Sequence, residues 1–180
     1  MASLLKPPVN EKDHIQGNKD APVELVEFGD YECPHCGRAY PIIKAIQKKM
    51  GKKLKFVFRN FPMAEAHPHA FAAAIASEAA DKQGKYWPMH DMLFENQHNL
   101  TGAAIRIYAM SLGLDVEIFF EDMGDIELRA KVEADFESGI RSGVNGTPTF
   151  FVNGIRYNES WEPAIFLEYL NEQLAIANRE

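Results

Sequence analysis

Residues 23–28, VELVEF, form a short β-rich run bounded by Asp20-Ala21-Pro22 on one side and Gly29-Asp30 on the other, and residues 54–61, LKFVFRNF, form a second. Between them Ala39, Ile42, Ile43, Ile46 and Met50 recur at the i, i+3, i+4 spacing of one helix face, and Gly51 supplies a stop signal. Strand, helix and strand at this spacing make a parallel β-α-β unit, whose crossover is right-handed in nearly all proteins. That unit fixes an α/β class, because the helix must lie on a face of the sheet.

The chain beyond it changes character twice. From about Pro68 to Arg141 almost no strand signal remains. HAFAAAIASEAADKQG reads as an alanine-rich helix and WPMHDMLFENQHNL as another, with Pro88 in its first turn. Thr101 can cap a third helix, Leu114-Asp115 begins a short fourth, and Asp125 begins a fifth. After SGVNGTP the strand pattern returns in TFFVNGIRYN, where Asn153-Gly154 is a hairpin-turn signal. Residues 161–177 then carry Ile165, Phe166, Tyr169, Leu170 and Leu174 on one helical face. The layout predicted is a loose arm over residues 1–12, a β-α-β half over 13–67, an all-helical insertion over 68–142, and a β-β-α half over 143–180.

Composition narrows the function. With 180 residues, 46% of them apolar, the chain can bury one substantial core, and its formal charge of −7 argues against a nucleic-acid partner, which would demand clustered Lys and Arg. The basic residues Lys44, Lys48, Lys49, Lys52, Lys53 and Lys55 read as a solvated helix end running into a strand. MASLLKPPVN has neither a long apolar core nor a small-residue cleavage site, and no apolar run could span a bilayer. The expectation is a cytoplasmic protein without stable membrane insertion. A chain whose signal had been removed would read the same and would be periplasmic or extracytoplasmic.

Both cysteines, Cys33 and Cys36, stand around Pro34 and His35 at the junction of the first strand and its helix. A bridge this short constrains little unfolded chain, so structural crosslinking is a poor explanation. Cys33 falls at the helix N-terminus, where free N–H groups and the dipole favour an anion such as a thiolate, and His35 is placed to donate hydrogen bonds toward the sulfur. Lowering a thiol pKa by ~3 units stabilises the reduced form by roughly 4 kcal/mol, or ~90 mV toward the oxidising side for a two-electron couple. Cys33 is then the expected nucleophile and Cys36, one turn inside the helix, the resolving thiol. A closed zinc site needs four ligands; His67 and His69 are the only evident candidates to complete one, nothing places them beside the cysteines, and no metal is expected. Two inert buried thiols are a further reading, against which the polar, turn-opening context counts.

With CPHC, Glu27, Pro41, the Gly-Thr-Pro-Thr run at 146–149 and the helical insertion, the chain resembles the DsbA-like thiol-disulfide oxidoreductases of the thioredoxin superfamily, from Asp13 to the C-terminal helix. It also looks like the thioredoxin-type domain appended to some bacterial sodium/proton antiporters. The resemblance implies a thioredoxin fold, a Cys33–Cys36 pair cycling between disulfide and dithiol, and a strongly oxidising couple. It implies as well a buried Glu27 that moves the proton of Cys36, a cis Thr147-Pro148 bond that exposes the Thr147 backbone to an extended substrate, and a helix kink at Pro41. Threonine stands at 147 where the best-known DsbA has valine, which bears on the direction of electron flow. No cofactor is implied. The partners implied are cysteine-containing protein substrates and a redox partner protein; nothing in the sequence sets an oligomeric state.

The remaining candidates read as architecture. Trp87, Phe94 and Phe71 have helical spacing and suit a core, His90 and His98 suit a helix surface, and Glu117, Glu121, Asp122, Asp125 and Glu127 suit a solvated face. The function expected is thiol-disulfide exchange through a mixed disulfide. Two alternatives are a glutathione-dependent transferase or isomerase on the same scaffold, which would not need both cysteines, and a non-catalytic interaction domain with an ordinary Cys33 thiol.

Overall fold

The computed structural model describes residues 3–179. Its sheet contains β1 (His14–Gly17), β2 (Val23–Gly29), β3 (Leu54–Asn60), β4 (Thr149–Val152) and β5 (Ile155–Tyr157), in the spatial order β1-β3-β2-β4-β5. The β2–β3 pair is parallel, with Val23 opposite Leu54 and Gly29 opposite Asn60, and α1 (Pro34–Met50) makes the crossover. Each of the other pairs is antiparallel. The β4–β5 hairpin turns at Asn153 (φ 48°) and Gly154 (φ 78°), two successive left-handed residues whose twist suits a two-residue turn.

Alternation along β2 sorts the core into two layers. Val23 and Leu25 join Phe56, Phe58, Phe150 and Val152 under α1 and α7 (Pro163–Ala177), whose Phe166 and Leu170 are fully buried. Val26 and Phe28 point the other way, with Val57, Phe61 and Phe151. By the same period Glu27 faces the α1 side, beneath the helix that begins at the cysteines. A carboxylate at a solvated strand end is thereby ruled out.

The insertion comprises α2 (Ala70–Asp81), α3 (Tyr86–Glu95), α4 (Gly102–Ser111), α5 (Val116–Met123) and α6 (Ile126–Arg141). Thr101 accepts a hydrogen bond from the Ala104 N–H, Asp115 from Ile118 and Asp125 from Glu127, so the three capping residues read from the sequence start α4, α5 and α6. Alanines let α2 sit at the centre of this block, with Ala73, Ala76, Ala79 and Ala80 fully buried.

Two expectations need correction. Residues 3–12 are not a loose arm: Leu5 is buried against Val26 and Phe151, its N–H donates to Gly154 at 2.9 Å, and the carbonyl of Ser3 accepts from Arg156. The exposed edge of β5 offers unpaired backbone groups, and this segment covers them. The Pro7 and Pro8 carbonyls also accept hydrogen bonds from Arg59, a buried arginine that must fill its donors and is paired with Asp13 at 2.8 Å. Residues 1–2 of that predicted arm lie outside the described residues. His90 is not on a surface either. It is 3% exposed among Tyr31, Phe58, Trp87 and Phe94, with Nδ1 on Asp91, because α3 turns that face to the core; His98 is exposed.

Candidate active site

Cys33 is the N-cap of α1 and Pro34 its first residue, a position where a missing N–H costs nothing. The turn before it is pinned from several sides. The Cys33 N–H donates to the Asp30 carbonyl at 3.1 Å, and Gln97, from the loop after α3, donates to the carbonyls of Tyr31 (3.0 Å) and Cys33 (2.7 Å). Gln97 carries no motif; a glutamine more than sixty positions away shows its role only after the insertion folds back over α1.

Cys33 is 4% exposed and Cys36 fully buried, so even the nucleophile expected to be open shows solvent little more than one edge. Both are free thiols in this structure. The Cys36 S–H donates to the Cys33 sulfur, and with help from the Thr147 side chain and the N–H groups of Cys36 and His35 this outweighs burial and brings the Cys33 thiol down to about 5. Burial, then the hydrogen bond to Cys33 and the neighbouring Glu27 and Cys33 charges, push Cys36 well above the ordinary thiol range. The two sulfurs are therefore driven apart in acidity. One is a thiolate at neutral pH; the other keeps its proton.

His35 contributes differently from the expectation. Its imidazole is exposed and its Nδ1 accepts a hydrogen bond from Arg38, so it is the backbone N–H of His35 that helps the sulfur. Glu27 is 3% exposed, its Oε1 has no hydrogen-bond partner among the described residues, and burial first, then the Cys33 charge, raise it to about 8. Gly29 is required beside it, since a Cβ there would overlap the Phe58 ring. Opposite the cysteines the Thr147-Pro148 bond is cis, and the Thr147 carbonyl lies 3.5 Å from Cys33 Sγ, where it accepts the S–H of the thiol form only. Pro41 lies within α1.

His67 and His69 are spoken for by carboxylates rather than by the thiols: His67 Nδ1 lies 2.8 Å from Asp30 and His69 Nδ1 2.8 Å from Glu32. No cluster of three or more His, Cys, Asp or Glu side chains suited to a metal occurs among the described residues. The sequence held a signal for the observed pairing in the matched spacings of Asp30-x-Glu32 and His67-x-His69. Trp87 and Phe94 pack on the core, Trp87 donating its N–H to the Ile15 carbonyl, and Phe71 is partly buried.

Two free thiols at the start of the crossover helix, facing a cis-proline on this mixed sheet, define the class: a thioredoxin fold. The family described as Thioredoxin matches residues 9–172. Oxidised BdbD from Bacillus subtilis superposes with a TM-score of 0.84 at 27% identity, covering 97% of this chain and 100% of that one. A thioredoxin-like oxidoreductase from Silicibacter pomeroyi does so with 0.82 at 27% identity, covering 95% of each. The chain belongs to the thioredoxin family. In sequence it is 42% identical over 169 residues to Na(+)/H(+) antiporter NhaA 1 of Mycolicibacterium vanbaalenii, covering 93% of this chain but only 27% of that protein. No described helix is long and apolar enough to cross a membrane.

Proposed function

We propose that the chain exchanges a Cys33–Cys36 dithiol or disulfide with cysteine-containing protein substrates through a mixed disulfide, and that a redox partner protein resets the pair. The observation that carries this is the opposed acidity of two sulfurs one helical turn apart. In the reducing direction the Cys33 thiolate attacks a substrate disulfide, forming a Cys33–substrate S–S bond and expelling one substrate thiolate. Cys36, deprotonated, then attacks Cys33 Sγ, closes the internal disulfide and expels the second. Two electrons pass to the substrate, and oxidation of a substrate dithiol is the same path reversed.

Glu27 suits the proton step in a way its position alone does not show. The Cys33 thiolate is one of the two causes that raise its pKa. Forming the mixed disulfide removes that negative charge, so Glu27 becomes more acidic at the moment when Cys36 must lose its proton. A carboxyl that is protonated in the dithiol state then releases its proton to solvent more readily, leaving a carboxylate free to take the proton of Cys36. Thr147 and Pro148 would hold the substrate strand beside Cys33. A groove of about 560 Å³, lined by Phe61, Pro62, Met63, Phe136, Ile140 and Val144 among others, adjoins Thr147 through Met63, whose sulfur lies 4.0 Å from Thr147 Oγ1, and offers room for an apolar side chain.

The test is turnover of a disulfide or dithiol substrate. Cys33→Ser abolishes it, and Cys36→Ser accumulates a mixed disulfide with the substrate. Undiminished turnover in Cys33→Ser rejects the assignment. The direction of flow follows from the reduction potential of the pair, since a couple near thioredoxin's suits a reductase and one near DsbA's an oxidase.

A further inference from the structure

The turn that carries Cys33 is crowded with negative charge. The Asp30 side chain is fully buried; its Oδ1 accepts the Glu32 N–H at 2.8 Å, and its Oδ2 accepts the Met63 N–H at 2.9 Å and meets His67 Nδ1 at 2.8 Å. Glu32 accepts the His69 N–H at 2.6 Å and meets His69 Nδ1 at 2.8 Å. Among the described residues no lysine or arginine pairs with either carboxylate; their ion-pair partners are these two histidines. With the Cys33 thiolate, three anions therefore sit within four consecutive positions, faced by two imidazoles from the loop between β3 and α2. A buried carboxylate survives only when paired, and a second anion nearby raises the cost of both. His67 has the better placement, on the fully buried member, with its own side chain 20% exposed.

We propose that His67, fixed by Asp30 on the loop facing the CPHC turn, is a positioning residue for thiol exchange, supplying the counter-charge that lets Cys33 stand as a thiolate beside two carboxylates. This rests on the reading of Cys33 as the nucleophile, and it gives His67 the cationic role that the imidazole of His35, turned to Arg38, does not fill. Burial works against the imidazolium, but Asp30, and after it Cys33 and Glu32, outweigh burial and raise the His67 pKa. The groups acting on it are Asp30, Cys33 and Glu32 from the turn, with His69 two positions further along its own loop. Linkage makes the coupling reciprocal: whatever the thiolate adds to the proton affinity of His67, the charge on His67 adds to the acidity of Cys33. Oxidation removes the thiolate and so lowers the His67 pKa.

The experiment pairs two measurements. Thiolate absorbance of the reduced protein is titrated in wild type, His67→Gln and His67→Lys, with the potential of each measured at pH 7. His67→Gln is expected to move the Cys33 midpoint up by on the order of one pH unit, a tenfold loss of thiolate below the midpoint and at most about 30 mV in potential. His67→Lys, which keeps a cation, restores most of both. Independently, an NMR titration of His67 in the wild-type protein should give a lower midpoint in the oxidised than in the reduced state, a readout that needs no variant to fold. An unmoved Cys33 midpoint in a folded His67→Gln, or identical His67 titrations in the two redox states, overturns the proposal. An ordinary Cys33 midpoint in wild type instead sinks the assignment of Cys33 as the nucleophile, so the two failures are told apart.

Discussion

Replacing Glu27 by glutamine should stabilise the reduced protein, by an amount set by pH. Glu27 is fully enclosed, lacks a partner at Oε1 among the described residues, and holds its proton up to about 8, against an ordinary value of 4.5. A group whose folded pKa is raised favours folding fully below its unfolded value, and that contribution is lost as pH rises toward the folded value. Between 4.5 and about 8 the folded state must keep a proton that the unfolded chain has released. At 1.36 kcal/mol per unit the deficit is about 1 kcal/mol at pH 5 and about 3 kcal/mol at pH 7, and it levels off above about pH 8. The amide of Glu27→Gln has nothing to titrate, and ionisable groups remote from it cancel between the two proteins; Cys33 and Cys36, which are coupled to Glu27, are followed by their own thiolate absorbance. Denaturant unfolding of the two reduced proteins at pH 5, 6, 7 and 8 should show a stability difference that widens with pH, reaching ~6–12 °C in Tm by pH 7. The advantage should shrink in the oxidised form, where no Cys33 thiolate raises Glu27. A difference independent of pH would refute the reasoning, because it would mean that Glu27 titrates alike folded and unfolded. Wild type would then owe nothing to a stability-for-function exchange at this residue.

Further predictions concern the thiols, the arm and the site loop. Cys33 should ionise with a midpoint near 5, seen as thiolate absorbance. At pH 7 this is about a hundredfold excess of thiolate, worth at most about 60 mV in potential; the ~90 mV of a full three-unit shift is not reached, because ionisation below the working pH is all that counts. The potential should fall by ~30 mV per pH unit just above that midpoint and by ~60 mV per unit below it, as one and then two protons accompany the two electrons. Asp13→Ala leaves the buried Arg59 without its carboxylate and should cost ~3–5 kcal/mol by denaturant unfolding. Leu5→Ala should cost ~2–4 kcal/mol in the same assay if the segment packs as described, and next to nothing if it were loose. Gln97→Ala frees the carbonyls of Tyr31 and Cys33 and should raise amide exchange at 31–37 while leaving global stability within ~1 kcal/mol.

How much was legible in the sequence depended on how local the cause was. The β-α-β unit, the capping residues Thr101, Asp115 and Asp125, the Asn153-Gly154 hairpin and the placing of Cys33 on a helix N-terminus all follow from spacing within a few residues. Backbone hydrogen bonding and side-chain periodicity act at that range, so the pattern suffices. The short strand His14–Gly17 is not legible in the sequence because three half-buried residues and an exposed glycine carry too little alternation, and it exists only by pairing with β3. The burial of His90, the packing of Leu5 and the clamp of Gln97 belong to tertiary structure alone. In each a polar or apolar group takes its meaning from a partner dozens of positions away. The sequence by itself determined that two thiols would stand at the start of a helix. Which groups surround them, and so how far apart their acidities lie, was decided by the fold, because desolvation and Coulomb coupling depend on distances that no local pattern encodes.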